Sequence, residues 1–239
     1  MRNMLSQSTR ALLGAMVVAT ASHGEVMDVD GRSASVMQSD VVQLVVDLAG
    51  GSIKDFHRLD HGLNPLQWDS VAFDSTLAET PRKPRSMGHF LCLDRWGPAS
   101  AAEMENGMGW HGEASRVVWE VVQDVVEQDG LLEAVLTADL PLAGLSVRRT
   151  IRMSQAAAVF EVTEAVTNNR PLGRIYNMVQ HPTIGPPFLD KTTVVDANAG
   201  KGFMQGGTLP NPEEPSVMWP QALKQDGTAV NLRQFSDNS

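Results

Sequence analysis

Leu131-Leu132-Glu133-Ala134-Val135-Leu136-Thr137-Ala138-Asp139-Leu140, Pro141-Leu142-Ala143-Gly144, Leu145-Ser146-Val147-Arg148-Arg149-Thr150-Ile151-Arg152-Met153 is the stretch whose pattern decides the fold. Two apolar runs of strand length flank a turn that begins with proline and ends with glycine. In the second run Val147, Arg149, Ile151 and Met153 alternate with Arg148, Thr150 and Arg152. A period of two places alternate side chains on opposite faces of a strand. Upstream, Gln128-Asp129-Gly130 is a turn with glycine where a positive φ is needed. Before it lies a valine-rich strand from Ser115 to Glu127 that holds Trp119. Downstream, Ser154-Gln155 turns the chain into a further strand, Val159 to Thr167. The result is a meander of consecutive antiparallel strands.

Working outward, Val41 to Leu48, Ile53 to Leu59 and Gly88 to Asp94 read as strands, the first two joined by Ala49-Gly50-Gly51-Ser52. Arg174 to Val179 leads into the second histidine segment, and Thr192 to Asp196 follows the strand pattern. Residues 60–87, with Pro65, Pro81 and Pro84, and residues 97–109 read as loops. Few stretches show helical period. The expectation is an all-β protein, a large antiparallel β-sandwich, with residues 39–239 as a single domain. Residues 22–38 are small and polar and are expected to form a flexible lead-in.

The chain has 239 residues, 42% of them hydrophobic, and a formal net charge of −9. That supports a sizeable core and argues against nucleic acid or an anionic membrane as the main partner, since both need a basic footprint. Residues 1–21 have the build of a secretory signal peptide. Arg2 and Arg10 precede the short apolar run Ala11 to Val18, and Ala19-Thr20-Ala21 has the A-x-A form of a cleavage site. The expectation is export to a periplasmic or extracellular space, with a frayed cytoplasmic N-terminus as the alternative. No other stretch is long and apolar enough to span a membrane. The single cysteine, Cys92, lies in the strand-like Phe90-Leu91-Cys92-Leu93 and reads as a buried filler.

Two histidine segments carry the candidate chemistry: Gly109-Trp110-His111-Gly112-Glu113 and Gln180-His181-Pro182-Thr183. Imidazole exchanges protons near neutral pH. Pro182 restricts His181 to extended geometry, which suits an aimed acid or base. Trp110 offers an apolar face and an N–H, a combination that suits the C–H faces and hydroxyls of a sugar. Glu113 is a candidate to orient the imidazole or accept a hydroxyl hydrogen bond. Arg95, at the end of the third strand, is a candidate fork of donors to substrate oxygens. Against these stand plainer possibilities: a satisfied strand-end histidine, a core tryptophan beside a surface histidine, an exposed strand-end charge. His57 and His61 are four apart, but the segment leads into a loop, which weakens a metal reading. The P-loop, Rossmann glycines, G-x-S-x-G and H-E-x-x-H are all missing, so no cofactor or metal is implied.

The chain resembles the galactose mutarotase-like superfamily, and the aldose 1-epimerases in particular. The resemblance rests on the order and spacing of several weak motifs across roughly residues 40–235. These are Gly50-Gly51-Ser52-Ile53 with Phe56 and Asn64-Pro65-Leu66; Arg95; Asn106-Gly107 through His111-Gly112 with Trp119; and Thr167-Asn168-Asn169 followed by Gln180-His181-Pro182. It implies a large sandwich with a sugar cleft, no cofactor, and interconversion of the α and β anomers of an aldose. His181 would protonate the ring oxygen, and His111 and Arg95 would hold the sugar. The family's base is a glutamate on a strand well beyond the second histidine, and Glu213 and Glu214 lie in a proline-rich stretch that suits the role poorly. The expectation is therefore a domain incomplete at its C-terminal end. The alternative is a non-catalytic carbohydrate-binding sandwich, and the plainest reading is a structural sandwich with incidental histidines.

Overall fold

The computed structural model describes residues 24–203, 216–224 and 226–234. The expected signal peptide, residues 1–21, and the pair Glu213 and Glu214 lie outside the described residues. The protein is an all-β sandwich of two main antiparallel sheets. The first holds β1 (Gly24–Val29), β2 (Arg32–Gln38), β3 (Val42–Asp47), β4 (Ser52–Arg58), β5 (His89–Leu93) and β10 (Met178–Pro182), side by side in that order. The second is the meander β6 (Glu120–Gln128), β7 (Leu131–Leu140), β8 (Leu145–Ser154) and β9 (Phe160–Asn168). Short hairpins of β11 (Lys201–Phe203) with β12 (Ser216–Met218) and β13 (Gln221–Leu223) with β14 (Ala229–Asn231) follow. Among the described residues no helix is long and apolar enough to cross a membrane.

The meander follows its sequence pattern closely. β8 alternates buried and part-exposed positions from end to end, so Leu145, Val147, Ile151 and Met153 face inward. They share one core cluster with Leu132, Leu136 and Leu140 of β7 and with Leu44, Val46, Leu91 and Leu93 of the first sheet. That shared cluster is the physical seam of the sandwich. Phe56 and Phe160 join the two sheets edge to face, with ring centroids 4.7 Å apart. Trp119, buried just before β6, donates its indole N–H to the Ala114 carbonyl at 2.9 Å. Over its ring lies the guanidinium of Arg149, 4.3 Å from the centroid. Arg149 occupies an inward position of β8 and is satisfied there by Glu164 of β9 at 2.8 Å and by the Gly51 carbonyl. Both charged side chains are 2% exposed, so each is tolerable in the interior only because the other is present.

Three expectations change. Residues 24–38 are not a flexible lead-in: β1 and β2 form a hairpin whose turn residues Asp30 and Gly31 both have positive φ, the geometry of a tight two-residue hairpin. β2 is largely buried, and Arg32 anchors it by a bidentate fork on the buried carboxylate of Asp47, at 2.7 and 2.8 Å. The strand expected over Thr192 to Asp196 is reduced to an isolated bridge between Val194 and Gln234. The strand expected from Ser115 begins only at Glu120, after a 3-10 turn over Ala114–Arg116. The loop 60–87 carries two further 3-10 turns, Ser70–Ala72 and Ser75–Glu79. The loop 97–109 carries a short helix, α1 (Ala101–Glu105), closed by a capping box between Ser100 and Glu103.

Candidate functional site

β10 joins the sheet at the far side of β5, in a register that sets His181 opposite Phe90. Leu91 and Leu93 of β5 point into the core, so Phe90 points to the other face of the sheet. His181 lies flat on it, with ring centroids 4.4 Å apart and planes 18° from parallel. Pro182 lacks an N–H, which an edge strand tolerates. The next amide, Thr183, donates instead to the Gly88 carbonyl at 2.9 Å and fixes the strand end. The Nδ1 of His181 is 3.4 Å from the Thr183 hydroxyl. Among the described residues nothing bonds its Nε2.

His111 arrives from the loop after α1 and is held by backbone. Its amide donates to the Gly97 carbonyl at 2.9 Å, and the Gly97 amide donates back to its Nδ1 at 3.1 Å. Its φ is +64°, the left-handed region, where a non-glycine residue is strained and which recurs at functional sites. Gly112 follows at φ +81° and bridges in parallel to Leu93. A Cβ there would lie 2.2 Å from the Leu93 carbonyl oxygen, so only glycine fits. The indole N–H of Trp110 points at Nε2 of His111, 2.6 Å away. A neutral imidazole has one acceptor nitrogen, so it cannot accept from both donors. The Gly97 amide is buried and fixed by backbone, whereas Trp110 is 56% exposed and free to turn. The amide therefore selects the tautomer: Nδ1 accepts and Nε2 carries the hydrogen. Burial, then the neighbouring His181 ring and the Arg116 charge, push the His111 pKa down to about 4. His111 is thus a neutral donor at neutral pH.

The two imidazoles meet. Their centroids are 5.3 Å apart and their planes cross at 67°. Together with Phe90 they line a cleft of about 760 Å³. Its other wall comes from the loop 60–87, through Trp68 and Phe73. Trp68 stacks on Phe90 at 5.9 Å and touches Phe73 at 6.0 Å. That loop is pinned: Asp69 caps the first 3-10 turn through the Val71 amide at 3.0 Å and accepts a fork from Arg85 at 2.8 to 3.1 Å. Arg116 also lines the cleft. Asp74 is the carboxylate among the described lining residues, and its Oδ1 is engaged as the cap of the second turn, bonding the amide and hydroxyl of Thr76.

Of the residues singled out from the sequence, His111, His181 and Trp110 line this cleft; Arg95 and Glu113 do not. Arg95 pairs with Glu103 of α1, which holds that carboxyl down at a pKa of about 2. It is therefore a brace for the loop and not a fork offered to the cleft. The buried Glu113 carboxylate accepts from the Leu142 and Ala143 amides at 3.3 and 3.1 Å. Its oxygens close the β7–β8 turn and do not orient His111. His57 bonds Asp55 at 2.8 Å, and His61 lies 3.7 Å from Asp60. Among the described residues no three metal-binding side chains converge. Cys92 is buried, and burial pushes its thiol up to about 12. The sequence reading passed over Trp68, Phe73 and Phe90. The available signal was two aromatic residues in a proline-marked loop, though nothing local ties them to β5.

No family model matches the chain, and none of the curated proteins matches it. Among solved structures, the chain is similar to the one described as "Crystal Structure Analysis of HI1317", at 11% identity and a TM-score of 0.38. The match covers 56% of this chain and 49% of that one, so the likeness spans about half the length of the matched structure.

Proposed function

We propose that this protein is a sugar mutarotase of the aldose 1-epimerase type, interconverting α and β anomers by acid/base ring opening. One observation supports this above the rest: two imidazoles, seventy residues apart in sequence, share the wall of an open, aromatic-lined cleft. Such a cleft, mostly apolar with a few convergent polar groups, suits a small polar ligand with C–H faces. His181 presents Nε2 without a partner among the described residues and is the acid. Its proton passes to the ring oxygen as the bond from that oxygen to C1 breaks. Solvent water in the open cleft takes the proton of the C1 hydroxyl, and that oxygen becomes the carbonyl of the open chain. Rotation about C1–C2 and reversal of the same steps close the ring on either face and return the proton to His181. His111 donates from Nε2–H to a sugar oxygen once the Trp110 indole turns aside. Because it stays neutral, it holds the sugar without competing for the proton.

A second reading, binding without catalysis, is favoured by the Asp74 carboxylate being occupied as a turn cap. The test is exchange between the anomers of glucose and galactose, followed by magnetisation-transfer NMR, with binding followed by calorimetry. Catalysed exchange that falls about 10²-fold or more in His181→Ala fits a positioned acid. Binding without exchange leaves the second reading, and neither signal overturns both.

A further inference from the structure

Resting on the sugar reading of the cleft, we infer that its ligand is the reducing end of an oligosaccharide, with a second pyranose seated on Trp68 and Phe73. The imidazole pair sits between two aromatic platforms. On one side Trp110 meets His111 edge-on at 5.6 Å and is 56% exposed. On the other, the stack runs from His181 through Phe90 and Trp68 to Phe73, which is 84% exposed. Phe90 is buried beneath His181 and Trp68, so one pyranose at the imidazoles meets the exposed Trp110 and leaves Phe73 bare. A phenyl ring exposed to water is unfavourable, and the backbone that carries Phe73 lies between two capped turns. The turn before it is capped by Asp69 and the turn after it by Asp74, while Arg85 forks onto Asp69. Ser70, which lies between Trp68 and Phe73 in sequence, also lines the cleft, and its hydroxyl is buried with no hydrogen-bond partner among the described residues. Such hydroxyls are rare unless a ligand or water completes them. The platform therefore combines an aromatic face with a waiting hydrogen-bond group, the pairing that a pyranose ring and its hydroxyls complete. Size agrees. At about 760 Å³, the cleft lies in the upper part of the range of about 300–1,000 Å³ for small-molecule sites, beyond what one hexose fills.

The test is calorimetric titration of the full chain with glucose, maltose, cellobiose and maltotriose. At least one reducing disaccharide should bind about tenfold tighter than glucose, the gain expected from one added aromatic contact. Phe73→Ala should bring that ratio to about one. Phe73 is mostly exposed, so the variant should fold; circular dichroism checks this. Glucose bound or mutarotated without any disaccharide gain overturns this inference and leaves the mutarotase reading standing. The same holds for a gain that survives Phe73→Ala. No binding of any of the four sugars overturns this inference, and the mutarotase reading then falls only if galactose exchange is also absent.

Discussion

Gly112→Ala is the most discriminating perturbation of the site's framework, because its cost divides into two separable parts. Gly112 has φ +81°, and a left-handed conformation costs an L-residue about 1–2 kcal/mol. The new methyl would also sit 2.2 Å from the Leu93 carbonyl oxygen, backbone that must move by more than an ångström. Overpacking of that kind costs about 1–3 kcal/mol more. Gly130, in the β6–β7 turn, isolates the first part: its φ is +75°, and a Cβ there meets nothing within 4 Å. Gly130→Ala should therefore lose only the conformational term. Urea unfolding, with a slope of about 2 kcal/mol per molar, should separate the two midpoints by roughly 0.5–1.5 M. The displaced loop carries His111, so sugar affinity should fall in Gly112→Ala alone. If the two variants unfold at the same urea concentration, Gly112 does not make the close approach to Leu93, and the placement of His111 argued from it is wrong.

Other outcomes follow from buried charge and burial. Arg149→Met should cost about 3–5 kcal/mol by stranding the Glu164 carboxylate, while the double variant Arg149→Met with Glu164→Leu should recover most of it, as measured by chemical denaturation. The His111 pKa is about 4 when folded, below the ordinary histidine value of 6.5, so the fold favours the neutral ring. Its contribution is complete above about pH 6.5 and is lost progressively as pH falls toward 4; burial lowers His89 in the same direction. Denaturation midpoints of the wild type should fall more steeply over that window than those of His111→Gln; equal slopes would refute the assignment. Cys92 should resist a thiol reagent at pH 8 in the native protein and react fully in urea.

How much was legible depended on how local the deciding interaction was. The β7–β8 pattern could be read because alternation is written in the chain itself, and Arg149 fell on the inward face by that same alternation. The Asp30-Gly31 turn was also readable, but the small residues of β2 masked a strand whose burial depends on Arg32 reaching Asp47. The meeting of His111 and His181 rests on β10 pairing with β5, and strand register is not encoded in either segment alone. Arg95 looked like a free fork although its partner stood nearby: Ser100-x-x-Glu103 is a capping-box pattern, and Glu103 takes both roles. Glu113 could not have been placed, because the amides it accepts from lie about thirty residues downstream. Trp68 and Phe73 acquire meaning only once Asp69 and Arg85 fold their loop over Phe90.

The β5–β10 pairing has a kinetic consequence. His89 and Gln180, which bond across it, are 91 residues apart, whereas each meander strand meets its neighbour almost at once. Closing so long a loop loses chain entropy before any contact compensates it. The meander and the β1–β4 hairpins can therefore assemble early, and the hollow between the two imidazoles comes into being only with the last zip of the first sheet. The same step should reverse before the meander opens. In native-state hydrogen exchange, the Thr183 amide should open well before the amides of β7 and β8, so substrate would be met by a site whose lifetime is shorter than that of the fold carrying it.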